Sequence, residues 1–205
     1  MAFAVKLANL RTDIGKAVEI VPPRPLNDDE LIALAKRFWP LRFERFADGT
    51  LLVTPLAGFY SGARSAMLTT EIATWSSAGD RGTVVGPHGG FNLPDGSLFA
   101  PNATFVARGR AFAPESKRTF PVVVPDAVFE LLSKPDRVHM TMKKLRAYLR
   151  NGVGLVVLID PNRRRVYAGR VGDDEPHDLG DVDSLDCSPV MPGFVLDVAA
   201  ILSAG

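Results

Sequence analysis

The chain carries a single cysteine, Cys187, in 205 residues, which excludes an internal disulfide and a cysteine-built zinc cage. Its three histidines, His88, His139 and His177, are not spaced as a metal pair on one helix, and no Gly-x-Ser-x-Gly elbow occurs. Zinc enzymes and serine hydrolases therefore find no support. Long apolar runs are missing: no stretch approaches the ~20 residues of a membrane span. The opening Met1-Ala2-Phe3-Ala4-Val5-Lys6 lacks the apolar core of a secretory leader, so the expectation is a cytoplasmic chain with no membrane contact. A charge excess is also absent. At a formal net charge of +1, no global basic field announces a nucleic-acid partner, and such binding would have to come from local clusters. Two exist, Lys143, Lys144, Arg146 and Arg150 in one segment and Arg163-Arg164-Arg165 in another; both read first as solvated faces.

What is present is an ordinary apolar share with aromatics in both halves and no internal repeat, enough for one folded domain. Pro22-Pro23-Arg24-Pro25 closes an N-terminal arm of residues 1–25, leaving 26–205 as a single domain. Asn27 as N-cap with Glu30 three positions on predicts a short helix that Pro40 stops. The alternating Leu41–Phe46 meets Thr50–Val53 across Asp48-Gly49 as a hairpin. Gly58 to Gly62 reads as a loop, and Met67, Leu68, Ile72 and Trp75 then recur at helical spacing up to Gly79. Short strands are expected at Thr83–Val85, Phe91–Leu93, Leu98–Phe99 and Thr104–Val106. Val122 to Leu132 reads as a buried strand, Met140 to Arg150 as an amphipathic helix ended by Asn151-Gly152, and Leu155 to Ile159 as another buried strand. Arg165 to Arg170 alternates as a half-wet strand. The acidic stretch Asp173 to Asp186 suits a loop with a short strand, and Phe194 to Leu202 a last strand or helical turn.

Glu130 is the residue that asks for an explanation. A buried strand rarely carries a carboxylate without a partner, because desolvating a charge costs several kcal/mol unless it is paired or metal-bound. Alternation puts Asp126, Val128 and Glu130 on one face. Lys144 lies on the apolar stripe of the following helix, while Lys143, Arg146 and Arg150 face water. Two readings remain open. Carboxylates on neighbouring strands could hold Mg²⁺ or Mn²⁺ while the lysine serves water activation or a phosphate, or a Glu130–Lys144 ion pair could simply fix helix on strand. Gly86-Pro87-His88-Gly89-Gly90 lacks the Gly-Lys-Ser/Thr of a phosphate loop and reads as a tight loop.

Taken in order, several segments resemble one family. They are Arg42-Phe43-Glu44-Arg45 with Asp48-Gly49, Gly62-Ala63-Arg64 ahead of a helix reaching Trp75, and Gly90-Phe91-Asn92-Leu93-Pro94-Asp95-Gly96. Ala100-Pro101-Asn102-Ala103-Thr104-Phe105-Val106 and Pro125-Asp126-Ala127-Val128-Phe129-Glu130-Leu131-Leu132-Ser133 follow. Lys144 with Tyr148, Asn151-Gly152, Leu158-Ile159-Asp160-Pro161 and Met191-Pro192-Gly193-Phe194 complete the set. Across Leu26 to Leu202 the chain resembles the Uma-type restriction-endonuclease family of the PD-(D/E)xK superfamily. The resemblance implies an α/β fold, a mixed sheet flanked by helices, with an N-terminal helix and β-hairpin on a restriction-endonuclease-like core. It implies a metal-dependent DNA endonuclease using Mg²⁺ or Mn²⁺, working by analogy as a homodimer. Glu130 matches the family's glutamate and Lys144 its helical lysine.

The Pro-Asp position reads Pro101-Asn102, and an amide offers a carbonyl oxygen without the charge, so metal affinity and hydrolysis should both suffer. Ser133-Lys134-Pro135-Asp136-Arg137 also departs from the family's usual Ser-Pro-Ser-Asp. Asp126 could supply the missing carboxylate, and Glu71 on the second helix is a further candidate, though one that also reads as a solvated helix residue. The rival expectation is a non-catalytic nuclease fold that binds nucleic acid or protein.

Overall fold

The computed structural model describes residues 16–110, 120–133 and 138–204. Within them the chain runs β1 (Val18–Ile20), α1 (Asp28–Arg37), β2 (Arg42–Arg45), β3 (Leu51–Thr54), α2 (Phe59–Ala78) and β4 (Gly82–Val85). It continues through β5 (Phe91–Asn92), β6 (Leu98–Phe99), β7 (Ala103–Ala107), β8 (Ala127–Leu131), α3 (Val138–Arg150), β9 (Leu155–Asp160) and β10 (Arg165–Arg170). β11 (His177–Gly180), β12 (Ser184–Asp186), β13 (Val195–Asp197) and α4 (Val198–Ser203) close it.

The strands form a central six-stranded sheet ordered β11-β10-β9-β8-β7-β4, a five-stranded sheet ordered β1-β3-β2-β6-β5 and the β12–β13 hairpin. Only β8 and β9 run parallel in the central sheet. Parallel neighbours need a long crossover, and α3 supplies it. Alternation along β8 and β9 then builds two cores at once. Ala127, Phe129, Val157 and Ile159 face Leu68 and Ile72 of α2 and Ile201 of α4. Val128, Val156 and Leu158 face Leu145, Tyr148 and Leu149 of α3 and, beyond them, Phe46 and Phe99 of the second sheet. A third cluster seats α1 through Leu31 on Phe43, Leu51 and Val53.

Several family segments turn out to be fasteners. Asn27 and Glu30 form a complete capping box on α1, which satisfies two of the backbone N–H groups that a helix start leaves open. Arg45 reaches the Leu26 and Gly96 carbonyls and the side chains of Asp28 and Asn92, tying α1, β2 and the Pro94-Asp95-Gly96 turn together. Asn151 ends α3 and exchanges two hydrogen bonds with Asp95. Gly49, at φ +84°, takes the left-handed position the hairpin turn requires.

Five sequence expectations change. α2 begins at Phe59, so the supposed Gly58–Gly62 loop is its first turn, with Gly58 as N-cap; a lone glycine inside a turn does not outweigh the apolar spacing downstream. The buried strand is shorter than Val122–Leu132: Pro125 has no N–H for a ladder, Val122 is exposed and makes only a single bridge to Asn92 of the other sheet, and Ala127–Leu131 is the part that joins the central sheet. The acidic stretch holds two strands, β11 and β12, and the C-terminal segment is a strand followed by a helix. The end of the N-terminal arm, Val18–Ile20, is an edge strand paired with β3. Residues 1–15 and Lys134-Pro135-Asp136-Arg137 lie outside the described residues.

Candidate functional site

Glu130 stands near the C-terminal end of β8, beside Leu158 of the parallel β9, the end of a parallel pair where α/β sheets place their sites. Lys144 of α3 reaches it, Nζ to Oε1 at 2.6 Å, and the same Nζ donates to Glu44 Oε1 of β2 at 2.8 Å. Backbone N–H of Ala100 donates to that Glu44 oxygen at 2.8 Å, and Tyr148 Oη donates to Glu130 Oε1 at 3.1 Å. Glu44 is 1%, Lys144 2% and Glu130 4% exposed. One ammonium thus bridges two carboxylates in a dry interior, where the desolvation penalty is several kcal/mol per ion and only paired, hydrogen-bonded charges are tolerated.

The two carboxylates differ. For Glu44 burial pushes toward the neutral form, but the charges of Lys144 and Arg42 and the Ala100 N–H outweigh it, holding this carboxyl below its usual range. For Glu130 burial pushes upward, and the neighbouring Glu44 charge adds to it against the pull of Lys144, so Glu130 sits above its usual range. Burial pulls Lys144 down, yet the two acids win and keep it protonated above its ordinary value. Tyr148 is driven well above its ordinary value, by burial first and then by Glu130. Two acids sharing one cation are thereby split, one firmly ionised and one more easily protonated.

The cluster floors a cleft of about 620 Å³ lined by Arg42, Ser65, His88, Asn102 and Thr141 among others. Asn102 reaches it tied at both ends of its amide: its Oδ1 accepts from Leu131 N–H at 2.9 Å and its Nδ2 donates to Ser65 Oγ at 3.3 Å. The structure thus brings Glu130, Lys144 and Asn102 to one cleft.

It does not bring Asp126 there. Four residues before Glu130 and just ahead of β8, at ~3.3 Å per extended residue, the Asp126 carboxylate accepts from Ala107 N–H at 2.7 Å and pairs with Arg110 at 2.6 Å. Sharing a strand face with Glu130 is not sharing a site with it, because the strand's length separates them. Glu71 is elsewhere as well: it lines a separate groove with Trp75 and Phe194, and its Oε2 accepts from Asp197 N–H. It is half-buried there, and burial raises its carboxyl above the ordinary range.

The sequence singled out neither Glu44 nor Arg42 as a site residue. Glu44 entered only as part of the alternating hairpin segment. Its sheet is covered on both faces, by α1 through Phe43 and by α3 through Phe46, so Arg42, Glu44 and Phe46, which share one face by alternation, all turn toward α3. The signal was there in Phe46, two positions from Glu44 and apolar. Arg42 makes no ion pair among the described residues, although its charge acts on Glu44, Glu130 and Lys144. His88 enters through the loop read as merely tight, its backbone held at φ +103°, a conformation uncommon outside glycine.

Among the described residues no three His, Cys, Asp or Glu side chains gather as a metal cage would need. A hard divalent ion fits the cleft in a different way. Glu44 Oε2 is buried without a hydrogen-bond partner on the cleft wall, next to Glu130, and one or two carboxylates plus substrate phosphates are the usual partners of Mg²⁺. In the helices, none is long and apolar enough to cross a membrane, among the described residues.

A crystal structure described as a putative nuclease belonging to DUF820, from Anabaena variabilis, superposes with a TM-score of 0.71 at 17% identity, over 87% of this chain and 98% of that one. This establishes the restriction-endonuclease-like fold, a mixed α/β arrangement flanked by helices. No curated protein matches. The profile of the Uma2 family, described as "Putative restriction endonuclease", matches residues 29–199, which take in the central sheet, β2, β3, β5 and β6 of the second sheet and the whole Glu44–Lys144–Glu130 cluster. The chain belongs to the Uma2 family.

Proposed function

We propose that the cleft is a metal-assisted phosphodiesterase site acting on DNA. The observation that carries this reading is the Glu44–Lys144–Glu130 cluster, buried at the floor of a cleft with one carboxylate oxygen left unbonded. Glu44 and Glu130 would hold Mg²⁺ or Mn²⁺. Such an ion, when bound, supplies the charge that acidifies water and steadies a phosphate.

The chain's own residues have separable tasks. Lys144 keeps its proton and presents a fixed positive charge where a phosphate gathers negative charge, a preorganised electrostatic contribution. Glu130, whose carboxyl sits above the ordinary range, is the better proton acceptor of the two acids near neutral pH. Tyr148 stays protonated and orients Glu130 by donating to it. Arg42 carries the guanidinium for a phosphate oxygen, a bidentate geometry that suits it. Asn102 positions the Leu131 backbone beside Glu130.

A second reading is favoured by that last contact. Asn102 spends its amide on Leu131 N–H and Ser65 Oγ, and an aspartate would offer Ser65 no N–H. An amide held by these two structural bonds suits a chain that binds nucleic acid without cutting it. A homodimer, the arrangement that lets both strands be reached, belongs to the first reading. A light-scattering mass of one chain would count against it.

Plasmid cleavage with Mg²⁺ and with Mn²⁺, comparing the wild type with Asn102→Asp and Glu130→Ala, separates these readings. Wild-type cleavage lost in Glu130→Ala is the expected outcome. Cleavage by Asn102→Asp alone would mean a retired site on an intact fold, and silence in all three would leave binding as the function.

A further inference from the structure

The lip of the cleft carries large apolar side chains that no core uses. Trp39 is 72%, Leu56 64%, Phe59 86% and Tyr60 61% exposed. Trp39 and Leu56 line the cleft with Arg42. Phe59 and Tyr60 open α2 just beyond and meet edge to face with ring centroids 5.6 Å apart. The clustering has a backbone cause. Arg42 and Thr54 are paired at the open end of the β2–β3 hairpin, so the residues leading into Arg42 and those leaving Thr54 emerge side by side. Large apolar groups left in water forgo the gain of burial, and several of them beside one cleft mark a contact surface.

The charges decide what kind of contact. Duplex DNA is gripped through a row of cations along its phosphates. Here the basic clusters are spent on acids: Lys143 pairs with Glu19, Arg146 with Glu175, Arg163 with Asp160, Arg164 with Asp181 and Arg165 with Asp178. Neither cluster offers a continuous row of free cations. At the lip the balance is reversed, with three aromatic rings and one guanidinium, Arg42, that has no ion pair among the described residues. Rings that stack on bases, with a lone cation for the backbone, are the equipment for an unpaired strand.

We infer that the lip binds an unpaired nucleic-acid strand, with bases stacked on Trp39, Phe59 and Tyr60 and a backbone phosphate on Arg42. The strand is thereby led to the Glu130–Lys144 floor. The inference rests on the nuclease reading above for its substrate class, nucleic acid, and departs from it in taking an unpaired strand in place of a duplex.

The test is fluorescence anisotropy of the full chain in EDTA with labelled oligothymidylate, labelled oligouridylate and a mixed-sequence duplex of equal length. Single strands should bind more tightly than the duplex. Phe59→Ala combined with Tyr60→Ala should weaken single-strand binding about ten-fold or more, given ~1–3 kcal/mol per stacked base, with circular dichroism confirming the fold. The two single-strand arms tell deoxyribose from ribose substrates. Glu130→Gln should keep binding even where cleavage is lost, so binding without cleavage defeats only the hydrolytic reading. Duplex binding that equals or exceeds single-strand binding, or an unchanged affinity in the double variant, overturns the inference. So does sedimentation velocity in which the double variant turns a dimer into monomers while oligonucleotide affinity stays the same, because the patch would then be a contact between copies.

Discussion

Two sets of ion pairs in this chain are chemically alike and physically opposite. At the cleft floor Lys144 bridges Glu44 and Glu130 with no side chain more than 5% exposed. Along the β10–β11 edge Arg165 pairs with Asp178 at 2.6 Å, and both side chains are more than 40% exposed. The distances are similar, but water screens the edge pairs far more than the floor, whose side chains are at most 5% exposed. An exposed pair contributes about 0–1 kcal/mol. A buried one exists only because each charge has a partner, and it becomes a liability once one partner goes.

Removing the bridge should have the largest effect. Lys144→Met keeps most of the volume but leaves two buried carboxylates without a cation. A loss of about 3–5 kcal/mol of folding stability is expected from chemical denaturation, and a loss under ~1 kcal/mol would mean that water already reaches the floor.

Next comes the pH dependence. Glu44 is held below 4.5, so it adds stability as pH rises toward 4.5 and loses that contribution as pH falls through its folded value. Glu130 is raised above 4.5, so the folded state binds its proton more tightly, and stability falls as pH rises from 4.5 through the folded value. Glu71 has the same sign. Urea midpoints across this range should therefore decline above pH 4.5, less steeply in Glu130→Gln, with Glu71→Gln as the comparison for the second contribution. An unchanged slope in Glu130→Gln would remove Glu130 from the account. Lys144, raised above 10.5, should hold its contribution up to that pH and lose it beyond.

The smallest effect belongs to the edge. Arg165→Ala should change stability by no more than ~0.5 kcal/mol and depend on salt, as screened pairs do. If it costs as much as Lys144→Met, the distinction between floor and edge is wrong.

Glu130 and Lys144 were legible because each breaks a pattern: a carboxylate in an apolar strand and a lysine on an apolar helical stripe. The hairpin, the capping box and most strands were legible because they rest on neighbours in sequence. Asp126 misled because alternation reports which face a side chain takes and nothing about distance along the strand. Glu44 was hidden for the opposite reason, since its local pattern is a hairpin strand and only the docking of α3 through Phe46 and Phe99 makes that face dry.

The sequence alone determined the elements whose causes lie within a few residues, and it marked which two charged groups would be buried. The tertiary structure decided that a second carboxylate, 86 positions before Glu130 in the chain numbering, would share the same lysine. It also decided that Trp39, Arg42 and His88 would line one cleft. Burial and juxtaposition are properties of packed surfaces, and a face becomes dry or wet only when another element covers it.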